Sequence, residues 1–183
     1  MHRLMLPSRA LLLAAAAAAV ASPGCRKPEP VAPENTAIVD ANALPSGPIV
    51  VTRLRPGPDS FTYSSGITVP RRELIRDEAA WRAAWAEIWA RTGPTLPPLP
   101  VIDFTRDMIV LAALGQRNSG GYGITVDSTT RATSGIVVWI TKLTPGNCGT
   151  LAALTQPVDV VSMPRVTGTV EFREREAVRP GCS

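Results

Sequence analysis

The chain has 183 residues, enough for one domain of ordinary size after any targeting segment is removed, and two full domains are excluded. Hydrophobic residues at 45% and charged residues at 19% allow a packed core and rule out disorder throughout. The formal net charge of +4 falls to about +2 once Arg3 and Arg9 leave with a signal peptide, too little for the basic stripe that nucleic-acid binding requires.

The N-terminus carries His2, Arg3 and Arg9 ahead of an apolar run from Ala10 to Ala21 that is almost pure Leu and Ala. This has the form of a signal peptide over residues 1–24: as a helix the run spans roughly 18 Å, short of a hydrocarbon core roughly 30 Å thick. Two export endings compete. Ala19-Val20-Ala21 suits ordinary signal peptidase, whereas Ser22-Pro23-Gly24-Cys25 resembles a lipobox, with Ser22 and Pro23 departing from its usual pattern. Because three Cys is an odd number for an exported protein, lipidation of Cys25 would leave Cys148 and Cys182 to pair. Such a disulfide stabilises by about 4 kcal/mol in the chain-entropy model. His2 is the only His, so the exported form contains no imidazole, which removes Ser-His-Asp and Cys-His catalysis and most zinc sites.

From 25 to 47 the chain holds Pro28, Pro30, Pro33 and Pro45 without an apolar period, and reads as an extended tether. The folded domain is expected over 48–183. Ile49 to Leu54 has strand composition, and a second extended segment runs from Phe61 to Val69, broken at Gly66. Asp77 is a suitable N-cap for a helix that continues to about Arg91 before Gly93 and Pro94. Ala80, Trp81, Ala84, Trp85, Ile88 and Trp89 share one face of it. That face is expected to pack on a sheet, because three exposed Trp would form a large apolar patch. Pro94, Pro97, Pro98 and Pro100 then impose an extended connection over the domain surface.

The remaining pattern is strand: Met108 to Leu114, Tyr122 to Val126, Ile136 to Leu143, Val158 to Met163 and Gly168 to Arg173. Strands at this spacing with no intervening helices favour antiparallel pairing. The expected fold is mostly antiparallel β, sandwich-like, with one amphipathic helix packed on the sheet, which is α+β by strict count. The alternating charges of Glu171 to Glu176 suit a solvated edge.

Between the first two of these strands lies Gly115-Gln116-Arg117-Asn118-Ser119-Gly120-Gly121-Tyr122-Gly123. A phosphate-binding loop would need Lys after the second Gly and a following helix, and neither is present. Two readings stay open. In one, Gly120 and Gly121 only shape the link between strands; in the other, Arg117, Asn118, Ser119, Gly120, Gly121 and Tyr122 form a partner-binding loop, since Tyr and Arg are strong interface anchors. Elsewhere, Lys142 is the only Lys of the expected domain, and nothing in its spacing from Ser119, Ser128, Ser134 or Ser162 supports a Ser-Lys dyad. Asp103, Asp107, Asp127, Asp159 and Glu171 are expected to cap turns or solvate strands. No enzyme activity, cofactor or metal is expected.

Asp103-Phe104, the strand Met108 to Gly115, Ser119-Gly120-Gly121-Tyr122, the strand Ile136 to Trp139 and Thr155-Gln156-Pro157-Val158-Asp159-Val160-Val161 together resemble the C-terminal domain family of PrcB, a protease-complex subunit. The resemblance covers roughly Trp81 to Phe172. Ser119 stands where the family usually has Thr, and Val158 where an aromatic is common. The resemblance implies an exported bacterial domain, often lipid-anchored, whose namesake stabilises a surface protease assembly without being its catalytic subunit. The expected product is thus a membrane-anchored lipoprotein of the cell envelope, periplasmic or surface-facing, that binds another envelope or secreted protein such as a protease. The loop is also similar to that of chagasin-like cysteine-protease inhibitors, which implies the alternative of direct protease inhibition through Gly-Gly-Tyr.

Overall fold

The computed structural model describes residues 48–54, 64–132 and 135–183. The expected signal peptide, Cys25, the tether 25–47, Phe61 to Tyr63 and Ser134 lie outside these residues. Among the described residues no helix is long and apolar enough to cross a membrane.

In chain order the elements are β1 (Thr52–Arg53), β2 (Arg71–Ile75), α1 (Glu78–Trp89), β3 (Asp107–Ala113), β4 (Gly123–Ala132), β5 (Gly135–Thr144), β6 (Val158–Pro164) and β7 (Thr169–Val178). They form a four-stranded sheet in the order β1-β6-β3-β2 and a three-stranded sheet in the order β4-β5-β7. The pairings between these strands are antiparallel except that of β5 with β7, and an isolated bridge between Ser64 and Gln156 is also parallel. The antiparallel, sandwich-like expectation therefore holds, with one parallel pair that the charged run of β7 did not announce. β7 lies at the edge of its sheet, as its alternating charges suggested, and continues through them to Val178.

β3 explains the layering. Its Met108, Val110 and Ala112 join Ile124, Val126, Ile136, Val138 and Ile140 in a core between the two sheets. Its Ile109, Leu111 and Ala113 join Trp81, Ala84, Trp85 and Ile88 of α1 on the opposite face. A strand with period-2 alternation between two apolar environments reads as a continuous hydrophobic run, which is what Met108 to Leu114 is.

The segment from Ile49 to Leu54 is not one strand. The Ile49 N–H donates to the Thr129 carbonyl of β4 at 3.0 Å, whereas Thr52 and Arg53 pair with Ser162 and Val161 of β6. It thus passes from one sheet to the other. β2 lies at Arg71–Ile75, beyond the extended segment read from sequence, because pairing with β3 rather than β-propensity holds Arg71, Arg72 and Glu73 extended.

The helix forms where its cap predicts. The Asp77 carboxylate accepts from the Ala80 N–H at 2.8 Å, satisfying a first-turn donor. At its other end the Gly66 N–H donates to the Glu87 and Ile88 carbonyls at 3.1 and 3.3 Å, an approach so close that a Cβ at Gly66 would strike the Glu87 oxygen. The indole N–H groups of Trp81 and Trp85 donate to the carbonyls of Pro100 and Pro97, each at 3.0 Å. The proline-rich connection is therefore tied to the helix whose apolar face it borders.

Cys148 and Cys182 are bonded, with Cα atoms 5.0 Å apart. Cys182 is buried, and its carbonyl accepts from the Asn147 N–H at 2.7 Å, so the chain near its C-terminus is stapled beside the β5–β6 connection. The double variant C148S/C182S is expected to lose about 4 kcal/mol of unfolding free energy, read as a lower urea midpoint with an altered slope if the unfolded ensemble expands. An unchanged midpoint would show that the bond adds nothing to the fold.

Candidate functional site

The Gly-Gly-Tyr loop leaves β3 at Leu114 and is tied along its length to the segment preceding β6. The Leu114 N–H donates to the Pro157 carbonyl at 2.9 Å. Arg117 and Thr155 exchange both backbone hydrogen bonds, at 2.8 and 3.0 Å. The Thr155 hydroxyl donates to the Ser119 carbonyl at 2.8 Å, and the Gly120 N–H donates to the Leu151 carbonyl at 2.9 Å. Gly121 has a φ of 84°, and a Cβ there would sit 2.7 Å from Pro145 Cβ. Only Gly combines that backbone with that neighbour.

Arg117 to Tyr122 thus come together in one turn, with distinct environments. Tyr122 is half-buried against the inter-sheet core, and the Arg117 guanidinium lies 5.7 Å from its ring centroid, within cation–π range. Asn118 is exposed, whereas Ser119 and Gly120 are half-buried. The loop is both a structural link and a surface.

Its facing wall was not evident from the sequence. The segment from Pro145 to Thr155 has no strand pattern, yet it and the loop enclose a groove of about 470 Å³. Gly120 and Gly121 form one side, Pro145, Thr150, Leu151 and Leu154 the other, and Arg179 stands at it as well. Leu151 is 79% exposed and Leu154 56%. Leucines left in water beside an apolar groove were legible in the sequence only as two Leu in an irregular stretch, and the signal that marks them is their position across from Gly-Gly.

A second polar constellation lies between the sheets. As an edge strand, β4 turns alternate backbone groups away from β5, and a register shift between Val126 and Ser128 interrupts the ladder. The Val126 N–H donates to the Asp159 carboxylate at 2.8 Å, while the Val126 carbonyl accepts from the Arg53 guanidinium at 3.0 Å. Arg53 also donates to Asp159 at 3.2 Å, joining β1, β4 and β6. Asp159 is only 1% exposed. Burial holds its carboxyl above the ordinary range, opposed by the hydrogen bond from Val126 and by the Arg53 charge. The expectation of a turn-capping or solvated role is corrected for Asp159, which is a buried acceptor closing the edge of a neighbouring sheet.

The other carboxylates are more ordinary. Asp103 caps its turn by accepting from the Thr105 N–H and hydroxyl, which lower its pKa. Glu171 pairs with Arg173, which lowers its pKa likewise. Asp127 accepts from the Thr141 hydroxyl and from Arg175 at 3.1 Å. The Lys142 ammonium lies 3.0 Å from Glu176 and 3.3 Å from Glu174, and these partners raise its pKa. That is opposite to the deprotonated amine a Ser-Lys dyad requires. Among the described residues no group of three or more His, Cys, Asp or Glu is placed to hold a metal ion.

Fold and site together define an α+β, sandwich-like domain with a loop-walled apolar groove at one end of its buried central strands. Residues 108–164 match the family model described as PrcB C-terminal, a stretch that begins in β3, includes the Gly-Gly-Tyr loop, β4, β5 and the facing wall, and ends with β6. The resemblance read from the sequence is borne out over these residues, without α1 and β7. No curated protein and no solved structure matches the chain.

Proposed function

We propose that this domain is a non-catalytic protein-binding module of the bacterial cell envelope, which docks through the groove between the Gly-Gly-Tyr loop and the Pro145 to Thr155 wall. Its partner is another exported protein, such as a secreted or surface protease, whose assembly it stabilises. The observation that carries this reading is the pair of exposed leucines, Leu151 and Leu154, on an apolar groove whose walls are strapped together by backbone hydrogen bonds and braced by the Cys148–Cys182 bond. Apolar side chains held in water on a pre-formed frame favour association, because little ordering entropy remains to be lost on binding. The family match over 108–164 supports a role beside a protease complex. The expected signal peptide and lipidation at Cys25 would hold the domain at a membrane.

Envelope proteins captured by the full chain and by L151D/L154D provide the test. Both positions are exposed, so the variant should melt close to wild type, while retention of an exported partner should fall at least about tenfold. Equal retention by the two proteins would dismiss the groove as the docking surface. Inhibition of papain-like or subtilisin-like proteases at micromolar concentration by the purified protein would replace assembly with the direct-inhibitor reading.

A further inference from the structure

The groove is uneven in charge. Of the residues that line it, Arg179 alone is charged, and no carboxylate stands among them. Among the described residues Arg179 has no ion-pair partner, although its backbone is fixed: its N–H donates to the Thr144 carbonyl at 2.9 Å and its carbonyl accepts from the Cys182 N–H at 3.0 Å. Nearby arginines are engaged otherwise: Arg117 lies over the Tyr122 ring, 5.7 Å from its centroid. Arg71 and Arg72 are each held by glutamates, at 2.8 and 2.6 Å. An exposed guanidinium carried on a fixed backbone beside an apolar surface, without a counter-charge, is a ready carboxylate receptor, since its forked donors match the two oxygens.

We infer that the groove takes an extended polypeptide segment of the partner in which large apolar side chains adjoin an acidic residue, whose carboxylate pairs with Arg179. This rests on the docking function proposed above and specifies the chemistry of the docked element. About 470 Å³ is within the range of ligand pockets and admits about two large side chains. A polypeptide is favoured over a small amphiphile by the leucines: Leu151 and Leu154 line the groove yet are 79% and 56% exposed, so a molecule confined to the groove covers only the part of each that faces it, whereas a chain laid across the rim covers more of both. Recognition is by side chains rather than by strand addition. At the loop's base Arg117 and Thr155 already exchange their backbone hydrogen bonds, and Gly120 N–H is taken by the Leu151 carbonyl.

The test uses the full chain, labelled with nitrogen-15, and two synthetic peptides: acetyl-Ala-Leu-Phe-Glu-Ala-amide and its Gln analogue. The Glu peptide should bind saturably, shift the amide resonances of Gly120, Gly121, Leu151 and Leu154, and bind about fivefold more tightly than the Gln peptide. R179E should remove or invert that preference while melting like wild type, and high salt should diminish it. Equal affinity for the two peptides, no binding of either, or shifts located elsewhere would overturn the inference, as would dodecanoate producing the groove shifts when the peptides do not. Partner capture separates the two levels of argument. If L151D/L154D loses the partner and R179E keeps it at full strength, docking stands and the carboxylate contact falls; if both variants keep it, the docking function itself is wrong.

Discussion

Asp159→Ala should lower the unfolding free energy by about 3 kcal/mol, a large share of the stability of a single domain. The variant leaves the Val126 N–H without its acceptor in a buried place and deprives Arg53 of its charge partner. Arg53 is partly exposed and can hydrate, so most of the cost falls on the orphaned amide and the small void. Asp159→Asn should cost less, because its amide oxygen can still accept from Val126. The pair also makes a pH prediction. Burial raises the carboxyl's pKa, so the folded form binds this proton more tightly than the unfolded chain. Its contribution to stability therefore falls as pH rises from the ordinary carboxylate range to the raised folded value, and is level above that. Urea midpoints across that window should slope for wild type relative to Asp159→Asn. Parallel curves would show that the Asp159 carboxyl keeps the same pKa on folding, and an Asp159→Ala midpoint equal to wild type would show that the buried bracket does not stabilise the sandwich.

Trp81→Ala should be as damaging or more so, at about 3–5 kcal/mol. The ring is 1% exposed, meets the Trp85 ring at a tilt of 58° with centroids 5.1 Å apart, and fills the layer between α1 and the four-stranded sheet. Its N–H also anchors the Pro100 carbonyl, so truncation releases the proline-rich connection as well as opening a cavity. A fall in melting temperature of about 10 °C is expected. Trp81→Phe, which keeps much of the volume but loses the donor, should lie well between Ala and wild type. A fall of only one or two degrees for Trp81→Ala would mean that the buried helix face adds little to the stability of the fold.

The contrast between these two sites shows what each level of description can reach. Trp81 was readable because helical spacing with Trp85 and Ile88 reports burial by itself, and Asp77 marked where the helix begins. The run Met108 to Leu114 likewise reported a strand covered on both sides. The pairing of Cys148 with Cys182 followed from an odd Cys number together with the expectation that Cys25 is set apart by lipidation. Asp159 was not readable: one carboxylate within Val158 to Val161 has the same composition whether it faces water or the edge of another sheet. β2 escaped for a related reason, since Arg71, Arg72 and Glu73 are extended only because β3 lies beside them.

The candidate site divides in the same way. Arg117 to Tyr122 stood out through the unusual Gly-Gly-Tyr between two apolar runs, and the match over 108–164 includes them. The wall opposite, with Leu151, Leu154 and Arg179, is assembled from two places, the Pro145 to Thr155 segment and the chain just after β7, that no local pattern connects.

Composition, periodicity and the Cys pattern alone determined a β-rich fold, its helix, most of its strands and a disulfide, because each of these depends on residues near in sequence or on simple counting. Only the tertiary structure decided how the strands divide into two sheets, that β7 runs parallel to β5, that Asp159 is buried, and that a groove faces the Gly-Gly-Tyr loop. Those features depend on which distant backbone groups satisfy one another's hydrogen bonds, and that is a property of the packed chain rather than of any stretch of it.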